Sequence, residues 1–365
     1  MHYLDANATE PLRPEARVAM LAALDLTGNP SSVHGAGRAA RRAMEDAREA
    51  LAGRFGCQPG DLVFTSGGTE ADALAVHALG QGRRLAIGAT EHDAIRAAAP
   101  GAVVVPVQSN GVIDLDALES VLAGGIPTLV CLMLANNETG TIQPVAEAAA
   151  LCRMHGALLH VDAVQAAGRM AVDFSAIGAS SLAISSHKLG GPTGVGALLL
   201  APDLATIAPL IKGGGQERGR RGGTPPVAAI AGFAAAAMVA SDATRLGGLR
   251  DAAERAACAA GAIVIGGDAP RLSNTACLAL QGARADTQVI ALDLEGIAIS
   301  AGAACSSGKV AASHVLAAMG LGALAGQAIR VSLPWNATIA DVDAFAVAYG
   351  RMADRLRPAL VSRAA

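Results

Sequence analysis

The sequence predicts an α/β protein, with a large domain built on a mostly parallel seven-stranded sheet and a smaller α+β domain. Three observations carry this. Short apolar runs alternate with helical patterns over the first two-thirds of the chain. Several of these runs are continuously apolar, TLVCLML and VGALLL among them, as strands covered on both faces are. Beyond about residue 260 the strand patterns weaken, while helical patterns persist. Strand–helix alternation of the first kind implies parallel strands with crossover helices.

In chain order, strands are expected at 62–65, 84–88, 102–107, 128–134, 157–161, 181–184 and 195–200. Helices fit between them at 38–54, 69–79, 114–122 and 145–155. A Gly/Arg-rich loop, GGGQERGRRGGT (213–224), is closed by Pro225 and Pro226, and a long helical stretch follows to about Ala260. The second unit is expected to hold strands at 262–265, 275–280, 297–300 and 329–333, with helices near 286–294, 309–318 and 338–353. Open parallel sheets bind ligands at the carboxyl ends of their strands, so chemistry is expected just after each strand.

Composition narrows the function. The 365 residues are 52% hydrophobic and 16% charged with 43 glycines, which describes a globular chain able to bury a large core. A net charge of −3 and only 2% aromatic residues argue against a nucleic-acid partner. The longest uncharged run, 222–241, holds eight alanines and two prolines, so it reads as a turn and a buried helix rather than a membrane span. The opening MHYLDANATEPLRPE has neither a signal nor a transit pattern, and six scattered cysteines form no CxxC pair. A cytoplasmic protein with no metal site and no disulfide framework is the expectation.

Three segments combine into a site. In FTSGGTEAD (64–72) a strand ends and a Gly-Gly turn opens a helix at Thr69, giving free N–H groups suited to a phosphate; alone it reads equally as an N-capped turn. In LLHVDAVQAAG (158–168) Asp162 ends a strand, either as an N-cap or as the carboxylate that keeps a ring nitrogen protonated, with Gln165 one turn on in reach of a ring oxygen. In AISSHKLGGPTGVGALLL (183–200) Lys188 stands between Ser185, Ser186, His187 and an apolar strand. A desolvated lysine loses its proton readily, as a Schiff-base amine must, and Ser185 and His187 reach a phosphate. Phosphate seat, acid and lysine, each after a different strand, point to pyridoxal 5′-phosphate (PLP).

Here the chain resembles the class V branch of fold-type I PLP enzymes, and more closely the cysteine desulfurases of the NifS/IscS type. The likeness runs nearly end to end, through YLDANATEP (3–11), GNPSSVH (28–34), TEHDA (90–94), NNETGTIQP (136–144), GGGQERGRRGGT, SAGAACSSG (300–308) and IRVSLPWN (329–336). It implies that Lys188 carries PLP and later moves the Cα proton, and that His92 stacks on the ring and relays a proton in catalysis. It also implies that Asp162 and Gln165 bond ring atoms, and that Gly68, Thr69, Ser185 and His187 hold the phosphate, joined by Thr224 of a neighbouring subunit. Asn7, Asn137 and Arg330 are implied to orient the substrate, the guanidinium on its carboxylate. Cys305, in a run of small residues, is implied to take sulfur from L-cysteine as a persulfide, leaving L-alanine. A homodimer and a sulfur acceptor protein, such as an iron–sulfur scaffold, are implied partners.

The same likeness divides the chain into 15–250 and a smaller unit of 1–14 with 251–365. Two departures stand out: Gly222 replaces the usual serine before Gly-Thr, and Arg220 is added. The chain also ends soon after its last expected helix, without the long tail that some relatives dock on a scaffold. A selenocysteine lyase or another class V enzyme is the neighbouring reading, and an idle sulfur carrier the more distant one. Cys131, Cys152 and Cys277 are expected as buried hydrophobes, Cys57 and Cys258 as incidental, and His160 as structural.

Overall fold

The computed structural model describes residues 1–204, 206–302 and 312–361. The chain opens with β1 (His2–Tyr3), α1 (Pro14–Leu24) and α2 (Gly35–Phe55). An alternating stretch follows: β2 (Leu62–Thr65), α3 (Gly68–Leu79), β3 (Arg84–Gly88), α4 (Asp93–Ala98), β4 (Val103–Val105), α5 (Leu115–Leu122) and β5 (Thr128–Met133). It continues through α6 (Val145–Met154), β6 (Leu158–Asp162), α7 (Phe174–Ile177), β7 (Ser181–Ser185) and β8 (Gly196–Leu200). Next come α8 (Val227–Ala237), α9 (Ala243–Ala259), β9 (Ile263–Val264), β10 (Thr275–Ala279) and α10 (Ala285–Leu294). The last elements are β11 (Ile297–Ala298), β12 (Ser300–Ala301), α11 (His314–Ala318), β13 (Ala328–Ser332) and α12 (Ile339–Val361).

Seven strands form one sheet in the order β2-β8-β7-β6-β5-β3-β4, and β8 alone runs against its neighbours. Strand β5 shows why its sequence is apolar throughout. Val130 and Leu132 pack into the cluster on one face, Leu129 and Cys131 into that on the other. Successive side chains of a strand point to opposite faces, and here both faces are covered by helices. A second sheet, β12-β13-β10-β9, is antiparallel, and its core gathers residues from Leu246 to Ala353 together with Leu4. Among the described residues no helix is long and apolar enough to cross a membrane.

Three expectations need correction. The long helix to about Ala260 is two helices, because the chain turns after α8 and Asp242 starts α9 by accepting from the Arg245 N–H. The expected strand 297–300 is β11 and β12, which pair in different sheets on either side of Ile299. The strand at 102–107 shortens to three residues. Helix α1, which the sequence reading passed over, packs against α8 so closely that a Cβ on Gly232 would fall 2.4 Å from the Met20 side chain. Cys131, Cys152 and Cys277 are buried, as expected, whereas Cys258 is exposed.

Residues 4–13 cross from the small sheet to the large one. The Ala6 N–H donates to the Ser332 carbonyl, and the Glu10 and Arg13 N–H groups donate to the His187 and Gly190 carbonyls. This crossing lays one strip of backbone along the carboxyl ends of the parallel strands.

Candidate active site

At those strand ends lies a cavity of about 330 Å³. Six loops converge on it. They bring Gly68 and Thr69 after β2, His92 after β3, Asn137 after β5, Asp162 and Gln165 from the end of β6, Ser185, His187 and Lys188 from the end of β7, and Asn7 from the crossing strip. Arg330 arrives from β13 of the second sheet. Nearly all the residues singled out from sequence therefore share one wall-to-wall site.

Helix α3 begins at Gly68, and its first N–H groups have no intrahelical acceptor. A Cβ at Gly68 would lie 2.6 Å from Val164 Cγ2, so only glycine lets this turn pack under β6. Glu70 steadies the turn by accepting from the Ser66 N–H at 2.7 Å, and Arg221 grips Glu70 with two N–H groups at 2.8 and 3.1 Å. Arg221 thus serves the helix start, while Arg220 is buried against backbone carbonyls. Thr224 is exposed in the same loop and is not among the residues lining the cavity.

The cavity floor carries two buried carboxyls, Asp72 and Asp162. Asp162 accepts the Val164 N–H at 2.9 Å, and burial, reinforced by the Asp72 carboxyl, pushes its own carboxyl up to about 7. Burial alone pushes Asp72 up to about 8. Asp72 bonds His160 Nε2 at 3.1 Å, and His160 Nδ1 bonds Ser181 Oγ at 2.8 Å. Desolvation drives His160 down to about 4, so this buried histidine is neutral. Glu91, also fully buried, is held well above the usual carboxylate range by burial. Such a floor favours an arriving cation.

Lys188 Nζ donates to the backbone carbonyls of Asn7 and Ala8, at 2.6 and 2.9 Å. His187 Nδ1 lies 3.2 Å from Thr9 Oγ1, and burial, with Lys188 and Arg169 nearby, pushes it down to about 4; it offers a hydrogen bond rather than a charge. His92 caps α4, its Nδ1 accepting the Ala94 N–H at 3.1 Å, which leaves the proton on Nε2. The Asn7 amide donates to the Asn137 carbonyl and to Thr275 Oγ1, and it accepts from Asn274. Arg330 donates to Asp5 Oδ1 at 2.6 Å and to the Asn137 carbonyl at 3.1 Å, with its Nε buried and unpartnered.

The residues present fit PLP. A buried carboxyl poor in cationic neighbours awaits a ring nitrogen, a helix start closed by glycine awaits a phosphate, and a half-buried lysine stands beside both. Cys305 lies outside the described residues. The chain enters its segment from β12, where Ser300 is paired with Arg330.

The sequence reading missed Asp72, which lines the cavity, and Asp5, Glu10 and Arg169, which stand behind its walls as hydrogen-bond partners. Only Asp72 left a signal, as a carboxylate on the apolar face of α3. The others find partners more than 150 residues away, as Arg169 Nη2 does with Glu10 Oε2 at 3.2 Å.

Residues 2–345 match the aminotransferase class-V family. The chain is 40% identical to an IscS-like cysteine desulfurase of Mycobacterium tuberculosis, with all of both chains covered. It is 42% identical to a cysteine desulfurase of Cereibacter sphaeroides, over 97% of this chain and 96% of the relative. Among solved structures, a NifS-like protein from Rickettsia africae superposes with a TM-score of 0.89 at 33% identity, covering 97% of this chain and 99% of the other.

Proposed function

Because the chain belongs to the aminotransferase class-V family, we propose that it is a PLP-dependent L-cysteine desulfurase that converts L-cysteine to L-alanine and holds the sulfur on Cys305. The observation that carries this is the meeting of Lys188, Asp162 and Arg330 in one cavity, from the two sheets. PLP, when bound, withdraws electron density from the substrate carbon skeleton.

The chain's own residues do the rest. Lys188 holds the cofactor through Nζ and then moves a proton at the substrate Cα. Asp162 keeps the ring nitrogen protonated, His92 stacks on the ring, and Gln165 bonds the ring oxygen. Gly68, Thr69, Ser185 and His187 seat the phosphate through hydrogen bonds, and Thr224 of a neighbouring subunit adds one more. Arg330, steadied by Asp5, meets the substrate carboxylate beside Asn7 and Asn137. The Cys305 thiolate attacks the substrate sulfur; an S–S bond forms, the C–S bond breaks, and its electron pair stays on Cβ, which takes a proton.

The sulfur then passes to an acceptor protein in iron–sulfur cluster or thio-cofactor assembly, in the cytoplasm. Residues 15–250 form the cofactor-binding unit and 1–14 with 251–365 the smaller one; the core that joins Leu4 to residues of the C-terminal third supports the pairing of the two ends, and those residues start at Leu246 in α9. A homodimer completes the site, and an exposed apolar stripe of Val18, Leu21 and Leu24 on α1 suits such an interface. With L-cysteine and a thiol reductant, the PLP-loaded protein should release alanine and sulfide in equal amounts, and Lys188→Ala should release neither. Pyruvate and ammonia in place of alanine would overturn the assignment.

A further inference from the structure

Arg169 sits in the turn after β6, and its guanidinium is fully enclosed. Nη1 donates to the Gln165 carbonyl at 3.1 Å and to Gln165 Oε1. Nη2 donates to the Ala6 carbonyl at 3.0 Å and to Glu10 Oε2 at 3.2 Å. A guanidinium has donors only, so the amide atom against it must be the oxygen. The reversed amide would set N–H against N–H in a dry interior, an arrangement that leaves donors unsatisfied. Gln165 Nε2 is thereby turned the other way. One of its hydrogens goes to the Asn7 carbonyl at 3.0 Å, and the amide lines the cavity.

We propose that Arg169 is a positioning residue: it locks the Gln165 amide so that this point of the cavity presents an N–H donor and never an acceptor. The inference rests on the PLP reading above, in which Gln165 faces the ring oxygen. Glu10 makes the arrangement tolerable by neutralising the buried cation, and it also accepts the Trp335 N–H from the second unit. The Asn7 carbonyl is shared by Gln165 Nε2 and Lys188 Nζ, so the locked amide also bears on the lysine. A donor at the ring oxygen stabilises negative charge there. Losing it raises the pH at which the bound chromophore gives up its proton.

The test is a pH titration of the absorption band of PLP bound to the full-length protein, alongside the melting temperature of the PLP-free protein. Arg169→Met is combined with Glu10→Gln so that no buried charge is stranded. The double variant should raise the titration midpoint by about half to one pH unit, the worth of one hydrogen bond. Gln165→Ala should raise it as much, and the triple variant no further, because the two residues act through one bond. Glu10→Gln alone should leave the midpoint in place. Should the double variant fail to fold, Arg169→Lys, with three donors on one atom for the four acceptors that the guanidinium serves, holds Gln165 less firmly and should move the midpoint up by less.

An unmoved midpoint in the folded double variant, an additive shift in the triple variant, or an equal shift in Glu10→Gln alone would overturn the proposal. Wild-type protein that forms no titrating band with PLP would instead overturn the cofactor reading itself. The two failures are therefore distinguishable.

Discussion

Asp72 and Asp162 stand at one cavity wall, and each keeps a proton that an exposed carboxyl would have lost. A carboxyl whose folded value lies above its unfolded one binds protons more tightly in the native state. Its stabilising effect is whole below the unfolded value, near 4, and is lost as the pH rises toward the folded one, about 8 for Asp72. His160 and His187 act in the opposite sense. Both are pushed down to about 4, so their contribution is present above their unfolded value and fades as the pH falls toward 4. Between pH 6.5 and 8 the carboxyls therefore decide the slope. Urea unfolding of the PLP-free protein should show stability falling over that range, and Asp72→Asn should flatten the fall by up to about 1.4 kcal/mol per pH unit. An unchanged slope in the variant would mean that Asp72 is already ionised. Asp162 was legible because it ends a strand in an otherwise apolar context, and Lys188 because it follows one closely and precedes two glycines. Asp72 and Arg169 were not, since their roles depend on partners that only the fold brings near: His160 lies 88 positions from Asp72, and Glu10 lies 159 from Arg169.

The loop ahead of α8 carries strain. Glu217 and Arg218 have φ of 48° and 58°, the only non-glycine residues with positive φ among those described. Left-handed backbone at such residues costs about 1–3 kcal/mol each and persists only when its surroundings dictate it. Here the Glu217 carboxylate is buried and receives Arg48 through two N–H groups, at 2.9 and 2.8 Å, and the Phe64 N–H at 2.9 Å. Helix α2, strand β2 and the loop are thus bolted at one carboxylate. Arg48→Met should cost about 3–5 kcal/mol, because it strands a buried charge. Limited proteolysis should then cut within 213–224, where the wild type resists; a variant of wild-type stability and resistance would refute the bolt. Sequence periodicity caught α3, β3 and β5 to within a residue. It missed the break between α8 and α9, since an alanine-rich run looks helical throughout and only the Asp242 cap reveals a new start.

Across the whole molecule, the alternation of apolar runs with helical patterns was enough to order the large sheet, because each strand there is buried on both faces. The bridging strip of residues 4–13 was not legible. Its residues form hydrogen bonds to two sheets, and no local pattern encodes a path between distant elements. That strip lies just ahead of α1, whose exposed Val18, Leu21 and Leu24 suit a second copy of the chain. If the proposed dimer pairs through this stripe, Leu21→Glu should give a monomer in sedimentation velocity where the wild type sediments as a dimer, and a wild type already monomeric at micromolar concentration would argue against the dimer.

The cavity at Lys188 is proposed to move sulfur onto Cys305. This is tested most directly by one turnover without reductant: the PLP-loaded protein is mixed with an equal amount of L-cysteine, alanine is measured, and the cysteines are mapped by mass. One alanine per site is expected, with one added sulfur on Cys305, and neither in Cys305→Ala. Alanine release undiminished in that variant, or the added sulfur on Cys57 or Cys258 instead, would contradict the proposal.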